Sequence, residues 1–293
     1  MSMTNIGFIG LGAMGMPMAK NLLARGFKVR GYDVRSAATE ALVKAGGTRA
    51  DSAAAALNGA DCAVLMVVNA AQAESVLFAE GGLDALPRES IVALMATCPP
   101  RAVEALGARV IETGRRFIDA PVSGGVAGAV AATLTIMAAA PREALAAVKP
   151  VFEALGDKLF HVGERAGQGA MVKTVNQLLC GVHIAVAAEG FSLASKVGVD
   201  MDVMLKILSG SSASSWMLKD RGPRMLEDEP EVTSAVDIFV KDLGIVLEAG
   251  RDSKAALPLA ALAHQLFLSV SGKGQGSSDD SQVIRVYRAM NGE

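Results

Sequence analysis

From Asn5 to about Val162 the chain alternates short β-rich runs with alanine-rich helical ones, and after Gly163 it stops doing so. Seven runs read as strands: IGFIG, KVRGYD, CAVLMVV, SIVALMA, RFIDAPV, TLTIMAA and KLFHV. Most are short, apolar and rich in β-branched residues, which suits strands buried on both faces. Between the first five lie PMAKNLLARG, SAATEALVKAG, AQAESVLFAE and RAVEALGARVIETG, all rich in helix formers. Such alternation calls for crossover helices and parallel pairing, hence an α/β, doubly wound sheet. Beyond Gly163 only helical segments follow: GQGAMVKTVNQLLCGVHIAVAAEG, MDVMLKIL, the stretch around AVDIFVKDLGIVLEAG, PLAALAHQLFLSV and SQVIRVYRAM. The expected division is an α/β domain over residues 1–165 and an all-α helical domain over 166–293.

The first strand runs directly into GLGAMG, where Gly10, Gly12 and Gly15 have the G-x-G-x-x-G spacing, and a helix follows from about Met16. In such a loop the first glycine permits the tight turn, the second lets the backbone approach a pyrophosphate, and the third allows helix to pack on strand. The helix N-terminus adds free N–H groups and a favourable dipole for phosphates. The first domain is therefore expected to be of Rossmann type, with Gly10, Leu11, Gly12, Ala13, Met14 and Gly15 cradling a dinucleotide. Asp33 ends the second strand 18 residues beyond Gly15, where a carboxylate accepts the adenosine ribose hydroxyls. It would repel a 2′-phosphate, so NAD is expected over NADP, with Arg35 close by as a counterweight. Asn69 and Thr97 follow two further strands at the same sheet edge, where they serve equally well as ligand contacts or as N-caps of the next helices.

The helix from Gly167 to Gly190 is apolar on nearly every side, which marks it as buried. Yet it carries Lys173. At about 100° per residue, His183, Asn176, Lys173 and Gln177 fall in one narrow sector. A buried ammonium must be paired, neutralised or useful, and desolvation disfavours its charged form; a lysine near the helix start also has the option of snorkelling to water. In DAPVSGG, the Ser123 hydroxyl and the Gly124 and Gly125 N–H groups form a turn suited to a carboxylate.

Composition narrows the partners. With 51% apolar and 20% charged residues and a net charge of -2, the chain is expected to fold and has no basic stripe for nucleic acid. Cys62, Cys98 and Cys180 are odd in number and far apart, which suits reduced thiols in the cytoplasm; neither disulfide nor metal is expected. The start, MSMTNIGFIG, lacks the pattern of an export signal, and the apolar run from Leu178 to Ala188 is too short to span a bilayer, so no membrane partner is expected.

Four motifs, GFIGLGAMG, DAPVSGG, G-Q-G-x-x-x-K-x-x-N-Q around Lys173 and FVKDLG at Phe239, occur in an order and spacing that resemble the β-hydroxyacid dehydrogenase family over nearly the whole chain. The resemblance implies that Lys173 is the catalytic acid/base and that Ser123, Gly124 and Gly125 hold the substrate carboxylate. It also implies that Thr97 and Lys241 touch the cofactor, with Phe239 closing over it. The family often has asparagine one turn after the lysine; here Gln177 stands there with Asn176 before it, so either amide is a candidate to orient the substrate. The second half, with NQLLCGVHIAVAAEG, SSASSWML, SAVDIFVKDLG and DDSQVI, is similar to the branch acting on L-threonate, more than to those acting on 3-hydroxyisobutyrate or tartronate semialdehyde. Ser211 to Ser215, His183 and Gln177 would suit a polyol acid. The expected reaction is oxidation of a small hydroxy acid, L-threonate to 2-oxo-tetronate, with hydride transfer to nicotinamide, in a homodimer or homotetramer. A silent dinucleotide-binding module is the rival reading, and it would need neither Lys173 nor the serine-glycine turn.

Overall fold

The computed structural model describes residues 3–292. The chain forms two compact units, one ending at Lys173 and the other starting at Thr174. In the first, β1 (Asn5–Ile9), α1 (Gly15–Ala24), β2 (Lys28–Tyr32), α2 (Ser36–Lys44), β3 (Thr48–Arg49) and α3 (Ala53–Leu57) make one half of a sheet. The other half holds β4 (Cys62–Leu65), α4 (Ala70–Glu74), α5 (Gly82–Ala85), β5 (Ile91–Leu94), α6 (Pro100–Glu112) and β6 (Arg116–Asp119). It continues through β7 (Val122–Ser123), α7 (Gly125–Ala131), β8 (Thr135–Ala139), α8 (Arg142–Glu153) and β9 (Lys158–Gly163).

The strands lie in the order β3-β2-β1-β4-β5-β6-β8-β7, with β9 pairing β8. Strands β1 to β6 pair in parallel, β8 runs antiparallel to β6 and β7, and β9 is parallel to β8. The first six strands thus have the Rossmann order, and the winding reverses between β1 and β4, where open α/β sheets bind their ligands. All seven expected strands are present; β3 and β7 are two-residue additions to them. AQAESVLFAE, expected as one helix, is α4 followed by a π-helical turn over Ser75–Ala79.

Alternation along the strands divides the core into two layers. Ile6, Phe8, Cys62, Val64, Ile91, Ala93 and Ile118 face one side, against Met18 and Leu22 of α1. Ile9, Ala63, Leu65, Val92, Leu94 and Phe117 face the other, against Leu57, Val103 and Leu106. Because both faces are covered, the strands are nearly continuous apolar runs, which is how the sequence shows them.

The second unit is helical: the later part of α9 (Gln168–Lys196), then α10 (Met201–Gly210), α11 (Trp216–Met225), α12 (Val236–Ser253), α13 (Pro258–Val270) and α14 (Ile284–Met290). Its core gathers Ile184, Ala188 and Phe191 of α9 with Phe239, Leu243 and Phe267, and the Phe239 and Phe267 rings stack at 5.1 Å. At 29 residues α9 is long and apolar enough to cross a membrane, unlike the shorter run on which the expectation rested. Half of its most apolar window is buried in the protein, and a core helix passes the same test of length and composition. The segment before α14 is tied to α11 by buried charges. Arg221 donates from Nε and Nη2 to Asp280 at 2.8 Å each, and Arg224 pairs with Asp279 at 3.1 Å.

Candidate active site

In the α/β unit the candidate residues follow the carboxyl ends of the strands. Gly10 sits at φ +91°, and a Cβ there would lie 2.4 Å from the Met66 carbonyl oxygen. A Cβ on Gly15 would lie 1.9 Å from the Gly10 oxygen, so both positions are closed to any larger residue. Gly12 differs: its nearest neighbour would be Arg35 Nη2 at 3.7 Å, which leaves the loop open at the point where a pyrophosphate must approach. Ala13 is exposed, Met14 stands at the N-cap position without a side-chain cap, and Leu11 is buried beneath the loop. No N-cap side chain thus competes with an anion at the start of α1, where Met16 N–H bonds the Gly12 carbonyl and Pro17 has no N–H.

Asp33 is held by its own neighbours. Its Oδ1 accepts from Arg35 N and Nε at 2.9 and 3.0 Å, and its Oδ2 accepts from Leu11 N at 2.8 Å and Arg35 Nη2 at 3.1 Å. Burial works to raise its carboxyl, but the hydrogen bonds from Arg35 and Leu11 outweigh it and hold the group below the ordinary value. Asn69 N-caps α4, accepting from Gln72 N at 2.9 Å, while Gln72 Oε1 accepts from Val68 N at the same distance. Thr97 is no cap: α6 begins at Pro100 with Pro99 at its cap position.

Ser123 ends β7, paired with Thr135 of β8, and is half-buried. Gly124 and Gly125 follow at φ +129° and +60°. Lys173, in the second turn of α9, is only 7% exposed. The first turn of that helix is gripped by Asp119, whose Oδ2 accepts from Gly167 N and Ala170 N at 2.9 Å each. Asp119 is 1% exposed, and burial pushes its carboxyl up to about 6 against the bonds from Ala170, Gly167 and Gly169; Glu104 adds repulsion. Reasoning from the sequence passed over Asp119, although it opens the quoted DAPVSGG.

Within the helical unit, Gln177 is buried and donates from Nε2 to Asp242 Oδ2 at 2.6 Å. A carboxylate only accepts, so this contact fixes which end of the amide is the nitrogen. Lys241 Nζ lies 2.9 Å from Asp242 Oδ1 as an ion pair, without the alignment of a hydrogen bond. Asp242, which follows Lys241 in FVKDLG, thus holds two candidate residues at once. Asn176 is half-buried and faces the Cys180 thiol at 3.9 Å. Phe239 belongs to the core of this unit, through its stack on Phe267. The serine cluster is largely structural: Ser215 caps α11 and Ser211 donates to the Leu208 carbonyl. Ser214 Oγ is buried without a hydrogen-bond partner. Among the described residues no group of three His, Cys, Asp or Glu could hold a metal, and the three cysteines are buried and form no disulfide.

Two family models cover the chain. The NAD binding domain of 6-phosphogluconate dehydrogenase matches residues 5–163, and the NAD-binding domain of NADP-dependent 3-hydroxyisobutyrate dehydrogenase matches residues 167–287. An L-threonate dehydrogenase from Cupriavidus necator is 44% identical, with 97% of this chain and 96% of that protein covered. One from Haemophilus influenzae is 38% identical, over 98% and 96% of the two chains. The crystal structure of a 3-hydroxyisobutyrate dehydrogenase from Salmonella typhimurium superposes with a TM-score of 0.92 at 35% identity, covering 97% of this chain and 99% of that one. The glycine loop at the switch point, the buried lysine and these full-length matches agree: the chain belongs to the β-hydroxyacid dehydrogenase family, related to 3-hydroxyisobutyrate dehydrogenase, and is a hydroxyacid dehydrogenase that uses a nicotinamide dinucleotide.

Proposed function

We propose that this enzyme oxidises L-threonate to 2-oxo-tetronate with NAD, using Lys173 as general acid/base. The observation that carries the chemistry is the burial of Lys173 in an apolar helix, because desolvation disfavours the charged amine and so makes it a better base. When bound, nicotinamide supplies the hydride acceptor. Lys173 takes the hydroxyl proton as the alcohol is oxidised and returns it in the reverse direction. The Ser123 hydroxyl and the N–H groups of Gly124 and Gly125 hold the substrate carboxylate and fix the carbon to be oxidised. Of the two amides we assign the orienting role to Gln177. Its nitrogen is engaged by Asp242, which leaves its oxygen to accept from a substrate hydroxyl, with Asn176 beside it.

The cofactor assignment rests on Gly10 to Gly15 for the pyrophosphate, on Asp33 for the ribose, and on Asn69 and Thr97 at the neighbouring strand ends. From FVKDLG we add Lys241, which reaches solvent, with Phe239 seating it from the core. Asp33 supports NAD over NADP. L-threonate is supported by the relatives from Cupriavidus necator and Haemophilus influenzae, and 3-hydroxyisobutyrate is the second reading, supported by the name of the Salmonella typhimurium structure. We keep 1–165 and 166–293 as the domain limits, supported by the meeting of the two family models between residues 163 and 167. We also keep a cytoplasmic homodimer or homotetramer.

The test is direct. Purified protein with NAD is offered L-threonate, its stereoisomers, 3-hydroxyisobutyrate and the tartronate semialdehyde couple, and reduced cofactor is followed by absorbance. The highest kcat/KM should fall on L-threonate. A preference of about tenfold or more for 3-hydroxyisobutyrate would replace the substrate, and turnover of none would favour the silent module.

A further inference from the structure

The G-Q-G that precedes the lysine has a structural explanation that points away from the ligand. Gly167, at the N-cap position of α9, adopts φ +90° and has no side chain with which to cap the helix. The missing acceptor comes from 48 residues earlier: Asp119 Oδ2, at the end of β6, receives the N–H groups of Gly167 and Ala170 at 2.9 Å, and the Gly169 N–H bonds the same carboxylate. Gly169 is what allows the approach. A Cβ there would lie 2.7 Å from the Asp119 carbonyl oxygen, 3.0 Å from its Cγ and 2.6 Å from the Met137 oxygen of β8. The first turn of the helix is thus pressed onto the ends of two strands, with the negative charge where the helix dipole favours it. Lys173 follows Ala170 by less than one turn, and Ser123 follows Asp119 by four residues.

We propose that Asp119 is a positioning residue for hydroxyacid oxidation: it anchors the first turn of α9 to the strand that continues into the Ser123–Gly125 bend, and so fixes the Lys173 amine against the substrate carboxylate. The inference rests on Lys173 being the acid/base. Its physical basis is that proton transfer tolerates little displacement, a shift of about 1 Å costing up to about a hundredfold in rate. A cap formed by a residue within α9 would stabilise the helix equally well, but it would not tie the helix to the substrate-binding bend.

The experiment compares wild type with Asp119→Ala, Asp119→Asn, Gly169→Ala and Lys173→Ala, measuring kcat, KM for the hydroxy acid, dinucleotide binding by fluorescence and thermal midpoint. Asp119→Ala should lower kcat by about ten- to a hundredfold while dinucleotide affinity stays within about threefold. Asp119→Asn, whose amide oxygen accepts the same N–H groups, should recover most of that loss. A lowered midpoint with unchanged kcat per folded molecule would make Asp119 a stabilising cap only and overturn the proposal. Should Asp119→Ala fail to fold, Gly169→Ala decides, because its methyl group lifts the first turn off the strands. A fall in kcat upholds the anchor, and wild-type kcat overturns it. Lys173→Ala separates the two ideas: turnover that survives there removes the acid/base and the anchor together, whereas a silent Lys173→Ala beside a normal Asp119→Ala removes the anchor alone.

Discussion

Asp33 spends its acceptors on the chain itself, with Arg35 wrapped around both oxygens and Leu11 donating from below. The side chain of Arg35 is 62% exposed against 8% for Asp33, so the guanidinium is the movable partner when a ribose competes for the carboxylate. If Asp33 holds the ribose as proposed, removing it takes away that acceptor and releases a cation beside the glycine loop, which a 2′-phosphate can use. Asp33→Ala should therefore raise the NADP to NAD ratio of kcat/KM by about ten- to a hundredfold, the worth of one or two charge-assisted hydrogen bonds. Arg35→Ala should move the ratio the other way. An unaltered ratio in Asp33→Ala would remove this carboxylate as the discriminator. The place of Asp33 just after β2 was legible in the sequence because it stands at a fixed distance from Gly15. The hydrogen bond that holds Gln177 was not, because its partner Asp242 lies 65 residues away, on α12.

At the scale of elements, the docking of α9 on β6 carries a pH signature. The Asp119 carboxyl is raised to about 6 from an ordinary 3.8, so the folded chain holds this proton more tightly than the unfolded one. Its stabilising contribution is therefore complete below the unfolded value and is lost as pH rises through about 6, a change of about 3 kcal/mol. Asp119→Asn cannot titrate. The stability of that variant relative to wild type should rise between about pH 4 and pH 7, and a flat difference in denaturation midpoints across that interval would contradict the shift. Elsewhere the DDSQVI stretch, singled out only by resemblance, becomes a buried tie between α11 and the chain before α14. Asp280→Asn leaves the Arg221 guanidinium buried against half its partners, and should cost about 3–5 kcal/mol by denaturant melting. A loss under about 1 kcal/mol would mean that Arg221 finds water or Asp220 instead. Long strands and helices could be read from their periodicity, whereas β3 and β7 have two residues each and offer no period to read. The helix expected to end at Gly190 runs six residues further, to Lys196, because that glycine lies inside it and does not end it.

The α/β unit encloses two core layers and the helical unit a third, and alternation followed by its absence is what made this architecture legible. What a single chain leaves uncovered is equally uneven. Val186 and Leu193 of α9 and Val197, in the turn just past its end, are spaced by seven and four residues, and all three are more than half exposed. On α10 no residue is buried, although Val203 and Ile207 are apolar, and Leu259 and Leu262 of α13 are open to solvent as well. Scattered exposed leucines and valines are ordinary, but a stripe of them along the longest helix and just past its end invites a second copy of the same surface, since most soluble assemblies are symmetric homo-oligomers. Light scattering should return at least twice the chain mass. The pair Leu193→Asp and Val197→Asp, which leaves the α/β unit and every proposed site residue intact, should shift it towards the single chain, because a charge placed in an apolar interface has no partner there. A monomeric mass for wild type at micromolar concentration, or a variant that assembles as before, would show that this stripe does not hold the subunits together.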